Sequence, residues 1–208
     1  MKPAPWPAAW LAVFFAVLAW SAVAPHDRVT WWLEVAPALI ALVVLAATRR
    51  RFPLTTLCYV LILVHAIVLM VGGHYTYALV PFGDWMAGLT GSERNDYDKI
   101  GHFVQGFVPA IVAREILLRH HVVTRRGWLG LVVVCICLAV SAFYELIEWW
   151  VALLSGAAAD AFLGTQGYVW DTQSDMFFAL VGAVAALVLL SRVHDAQLRR
   201  MGEATLSR

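Results

Sequence analysis

The sequence predicts an all-α fold, a polytopic membrane helical bundle of about six transmembrane helices, on three observations. Hydrophobic residues make up 62% of the chain and charged residues only 14%, which leaves too little polar surface to solvate a folded domain of 208 residues. Apolar runs long enough to cross a hydrocarbon core of about 30 Å recur along the chain. The Lys and Arg residues collect in alternate connections between those runs. The whole chain, residues 1–208, reads as a single membrane-embedded domain.

The six runs lie at Trp6 to Ala24, Trp31 to Thr48, Leu54 to Val71, His102 to Leu118, Trp128 to Trp150 and Thr172 to Ser191. Turn and charge signals separate them: Pro25 and Asp27, then Arg49-Arg50-Arg51-Phe52-Pro53, the polar stretch Gly83 to Gly101, the Arg119 to Gly127 link, and the Ser155 to Gly167 loop. The first run also has signal-peptide character, with Lys2, an apolar stretch and Ala22-Val23-Ala24. Pro25 directly after that site disfavours cleavage, so an uncleaved anchor is the expectation.

Orientation follows from the cations. An N-in, C-in arrangement puts Lys2, Arg49, Arg50, Arg51, Arg114, Arg119, Arg125, Arg126, Arg192, Arg199, Arg200 and Arg208 inside, leaving only Arg28, Arg94 and Lys99 outside. Most carboxylates run the other way, and only Glu115, Asp195 and Glu203 fall inside. Acids carry little topogenic weight, so the acidic outer face, Asp160 included, asks for its own explanation. The cations form no stripe interleaved with aromatics, which excludes a nucleic-acid surface. Cys58, Cys135 and Cys137 lie inside apolar runs and build neither a disulfide framework nor a thiolate zinc site.

Three consecutive helices bring polar faces to that outer end. Asp98 and His102 stand at i and i+4, with Gln105 three residues on. Glu145 and Glu148 share a face at the far end of the fifth run. Asp171 and Asp175 repeat at i and i+4 where the sixth begins. Ionisable groups in a membrane segment are costly and face a protein interior or a watery cavity. Five carboxylates and an imidazole at one depth repel one another unless a cation neutralises them. Asp98, His102, Glu145, Glu148, Asp171 and Asp175 are therefore candidate ligands of a divalent metal, whose identity the residue types leave open. Glu148 and His102 are the candidate proton acceptors.

Blander roles compete with these. Asp98 and Asp171 suit helix caps, and Lys99 or Arg94 suits a carboxylate partner. His65 is expected as an interhelical hydrogen-bond donor. His74, Tyr75 and Tyr77 either line the site or anchor the interface, and the loops Thr90 to Asp96 and Gly164 to Tyr168 could close over it.

Asp98-Lys99-Ile100-Gly101-His102-Phe103, Phe143-Tyr144-Glu145-Leu146-Ile147-Glu148-Trp149 and Gly164 through Met176 resemble, in order, the motifs of the YjdF-type bacterial inner-membrane proteins, a family of unknown function. The resemblance implies a multi-helix protein of the bacterial inner (plasma) membrane. A looser likeness joins Asp98, His102, the acidic fifth helix, Asp171 and Asp175 to VanZ-like membrane proteins; there the middle helix has one acid followed by Gln, whereas Trp149 follows Glu148 here.

Three functional classes fit these residues. A metal-dependent enzyme would act at the outer leaflet on a lipid-linked or envelope substrate, with membrane lipids as its surroundings. A noncatalytic envelope factor would use the polar cluster to lock helices. A proton- or cation-coupled transporter would relay charge through it, but such sites lie near the midplane and often show an internal repeat, which this sequence lacks.

Overall fold

The computed structural model describes residues 8–155 and 166–202. Lys2, Asp160, Glu203, Arg208 and the Gly164-Thr165 part of the last loop lie outside the described residues. The elements are α1 (Ala8–Ser21), α2 (Arg28–Thr48), α3 (Thr56–Tyr75), α4 (Pro81–Thr90), α5 (Tyr97–Arg119), α6 (Arg126–Ser155) and α7 (Asp171–Arg200), with a 3-10 turn at Tyr77–Leu79. Helices α2, α3, α5, α6 and α7 are long and apolar enough to cross a membrane. In the first run the described helix covers Ala8–Ser21, 14 residues.

Two sub-bundles meet along α5. Helices α1 and α2 pack on α3, whereas α6 and α7 pack on α5 and on each other, and the α3–α5 contact joins the groups. The spanning helices alternate in direction, so α5 and α7 run parallel. All the described cations except Arg28, Arg94 and Lys99 gather at one end, and the described carboxylates except Glu115 and Asp195 collect at the other.

Local chemistry explains the boundaries. The Asp27 carboxylate caps α2 by accepting from the Thr30 N–H at 2.7 Å, a bond that holds its pKa below the ordinary carboxyl value. The Thr55 hydroxyl caps α3. Helices α2 and α5 continue through Pro37 and Pro109, as membrane helices tolerate.

The polar stretch Gly83 to Gly101, expected as a separator between runs, holds all of α4 but its first two residues. Pro81 occupies its first turn, and Gly91 ends it in the left-handed region at φ 72°. Both residues serve as helix boundaries. The Asn95 amide secures α4 by donating to Val80 O at 2.8 Å and Asp84 Oδ1 at 2.7 Å.

The tightest packing lies between α5 and α7. A Cβ on Gly106 would fall 1.8 Å from the Ala179 carbonyl oxygen, and one on Gly182 would fall 2.0 Å from that of Phe103. Small residues on facing helices allow this backbone approach. Gly182→Val should therefore destabilise the fold by about 3 kcal/mol or more, at the upper end of overpacking costs. Gly130→Ala, whose Cβ meets only Leu187 Cδ1 at 4.0 Å, should leave it unchanged or slightly stabilised. Thermal unfolding in detergent checks both, and equal melting temperatures for the two variants would contradict the packing argument.

Candidate functional site

At the acidic end, α5, α6 and α7 bring five of the six expected residues together, four carboxylates around the His102 imidazole. His102 Nε2 lies 3.4 Å from Asp98 Oδ1 and 3.9 Å from Glu145 Oε1. Two overlapping triads share this histidine, Asp98–His102–Asp175 and His102–Glu145–Glu148, each with ligand atoms within 4.8 Å of one another. Asp98, His102, Glu145 and Asp175 are buried. Asp171 stands one helical turn before Asp175 and pairs instead with Arg94, Nη1 to Oδ1 at 2.7 Å. Lys99 pairs with Asp96 at 2.6 Å and so does not neutralise the triads.

The tautomer of His102 follows from its neighbour. Nδ1 lies 2.8 Å from Gln105 Oε1, so Nδ1–H donates to the amide oxygen and Nε2 faces the carboxylates. A second hydrogen bond of this kind orients a metal-ligating histidine. Two atoms each about 2.0–2.2 Å from one ion can stand no more than about 4.4 Å apart. Both measured separations from Nε2 fall inside that limit. Asp175 Oδ1 and Glu145 Oε1 are buried and accept no hydrogen bond among the described residues.

A cavity of about 140 Å³ opens beside this cluster, lined in part by Glu34, His65, Tyr77, Gln105 and Tyr144. Glu34 on α2 is only 3% exposed, and its Oε2 accepts from the Tyr144 hydroxyl at 3.2 Å. In the sequence Glu34 is one of the outer acids, with no acidic or histidine partner at i+3 or i+4. Its signal was present, as the one acid in the Trp31 to Thr48 run. Tyr77 lines the cavity, as one of its expected roles allowed. His74 and Tyr75 do not: His74 Nδ1 contacts Ser21 O at 3.1 Å and its ring packs on Trp20, so both belong to the α1 end. His65 also departs from expectation. It makes no hydrogen bond among the described residues and lines the cavity instead. The two loops expected near the site meet each other, with Gln166 pairing to the Asn95 backbone at 2.9 and 3.0 Å.

A second buried network lies at the arginine-rich end, where sequence reasoning saw no site. Glu115, fully buried, accepts from Thr55 N at 2.9 Å, Thr55 Oγ1 at 2.7 Å, Cys58 Sγ at 3.1 Å, Arg119 Nη1 at 3.0 Å and His194 Nε2 at 3.0 Å. Arg114 Nη1 faces His194 Nδ1 at 2.9 Å, and its Nη2 donates to Asp195 Oδ1 at 2.6 Å. A guanidinium has no acceptor, so the lone pair is on Nδ1 and Nε2–H donates to Glu115. Cys58, Glu115 and His194 are spaced for a metal, but Nε2 carries the proton and Glu115 is saturated with donors. The group is a closed structural network.

The comparisons accord with this architecture. Residues 6–196 match the family described as "Predicted membrane protein (DUF2238)". The chain belongs to this family. It is 55% identical over 189 residues to inner membrane protein YjdF of Escherichia coli, covering 91% of this chain and 90% of that protein. The expected YjdF-type resemblance and multi-pass inner-membrane location therefore hold, while the VanZ-like likeness finds no support in these matches. No solved structure matches the chain.

Glu115→Ala should destabilise the protein by about 3–5 kcal/mol, the usual consequence of removing one partner from a buried charged network. Glu115→Gln, which keeps an acceptor oxygen, should cost less. Thermal unfolding of the two variants beside the parent measures this order, and a Glu115→Ala protein as stable as the parent would contradict it.

Proposed function

We propose that this chain is a metal-dependent membrane enzyme acting on a lipid-linked or envelope substrate. In this reading its termini are cytoplasmic and the Asp98–His102 cluster faces the periplasm. The observation that carries the reading is the contrast between its two buried networks. At the arginine-rich end every Glu115 oxygen has donors. At the acidic end Asp175 Oδ1 and Glu145 Oε1 are buried without one. A purely structural network gains from satisfying all its members, whereas buried carboxylate oxygens without donors beside a histidine Nε2 suit a cation.

Asp98, His102 and Asp175 would hold the ion, with Glu145 of the second triad standing against it 3.9 Å from His102 Nε2. Glu148 would remain at the cavity wall as the proton acceptor, with Asp171 held in place by Arg94. A divalent ion there polarises a substrate oxygen or acidifies a bound water, which suits hydrolysis or group transfer. Tyr144, already donating toward the cavity, supplies a hydroxyl for a polar substrate group.

Metal analysis of the purified protein beside His102→Ala and Glu145→Ala should find a stoichiometric divalent ion in the parent and at least a tenfold loss in both variants. No ion after loading with zinc, manganese, magnesium or calcium, together with unaltered stability of both variants, would sink the proposal. For orientation, cysteines placed at Glu93 and Thr124 should differ. A membrane-impermeant maleimide added to intact spheroplasts should label only Glu93→Cys, and labelling of Thr124→Cys alone would reverse the topology.

A further inference from the structure

The cavity beside the carboxylates shares Pro37, His65, Leu69 and Pro109 with a second, larger space of about 580 Å³. This space lies between α2 and α5, floored by α3 and closed on one side by Ile136 of α6. It exists because α2 leans on α3 and makes no extended contact with α5 or α6. Its walls are almost wholly apolar. From Pro37 to Thr48 on α2, and from Pro109 to His120 on α5, it runs about 16 Å at 1.5 Å per residue. That is close to half of a hydrocarbon core of about 30 Å, the depth of one leaflet.

Its two ends differ chemically. The inner end stops at the proline and histidine wall near mid-membrane. The mouth is framed by Thr48, Phe52 and His120; the Phe52 and His120 rings stack at 4.9 Å and the Arg119 guanidinium lies 3.8 Å above Phe52. Arg49 follows Thr48 in the chain, and Arg50 and Arg51 beyond it are exposed. Basic residues at the cytoplasmic mouth of an interhelical pocket attract anionic lipid heads.

We propose that this crevice is a specific site for one acyl chain of an anionic phospholipid from the leaflet at the arginine-rich end, whose phosphate meets Arg50 and Arg51. The three-walled shape distinguishes the site from the general lipid-facing surface, and the length matches a chain entering from that leaflet alone. The site stands apart from the metal reading, because none of its charged groups belongs to the carboxylate cluster.

The test uses the full chain reconstituted in vesicles of equal phosphatidylglycerol and phosphatidylcholine, extracted in mild detergent and weighed by native mass spectrometry. The parent should retain one phosphatidylglycerol per chain, several-fold in preference to phosphatidylcholine. Ala113→Trp, which fills the crevice, should lower that retention at least fivefold. Arg50→Ser with Arg51→Ser, in the turn outside the helices, should abolish the preference; if the tryptophan variant fails to fold, this pair decides alone. Equal retention of the two lipids by the parent, or retention and preference unchanged by the folded variants, would overturn the proposal.

Discussion

The close approach of α5 to α7 is the constraint on which the rest depends. Gly106 and Gly182 let each helix meet the other's backbone at the crossing, and that contact sets their register. Both polar networks are partnerships across this parallel pair. Asp98 and His102 meet Asp175 at one end, and Arg114 and Glu115 meet His194 and Asp195 at the other. The separations agree: Asp98 to Glu115 rises about 26 Å and Asp175 to His194 about 28 Å. A slip of one turn at the glycines, about 5.4 Å, would unmake both ends together.

The two ends use this register differently. At the arginine-rich end, cations and carboxylates are matched, so burial leaves no uncompensated charge. At the acidic end Arg94 and Lys99 are taken up by Asp171 and Asp96, and the His102 imidazole is the basic side chain left facing Asp98, Glu145, Glu148 and Asp175. An imbalance this size in a membrane protein needs a proton, an ion or a cationic ligand to be tolerated. The metal reading names the option that also uses the geometry at His102 Nε2.

Features that depend on one helix at a time are legible in the sequence. Membrane spans announce themselves by length and composition, and the i, i+4 pairs Asp98–His102 and Asp171–Asp175 by spacing; of the six residues singled out, all but Asp171 lie together. What is written across helices is not legible there. His194 and Glu115 lie 79 positions apart, and no periodicity links them. Glu34 sits on a different sub-bundle from the other acids, and only tertiary packing brings it to the cavity. The α4 helix was hidden because Pro and Gly mark helix ends and loops alike. His74 and Tyr75 were drawn toward the site by depth alone, which cannot tell one side of a helix from another.

The position of the cavity gives these pieces a common sense. It lies between the two sub-bundles rather than inside either, and Tyr144 and Glu34 form a hydrogen bond across it from α6 to α2. Ligand sites favour such seams because rigid walls on each side hold the polar groups while the seam admits the ligand. Here α5, held against α7, supplies the rigid wall with Asp98 and His102, and α2, supported chiefly by α3, supplies the lightly held one. The same sparse packing of α2 that opens the apolar crevice below therefore leaves room for a polar cavity above. One gap in the bundle accounts for both spaces, and Pro37, His65 and Pro109 divide them at mid-membrane depth.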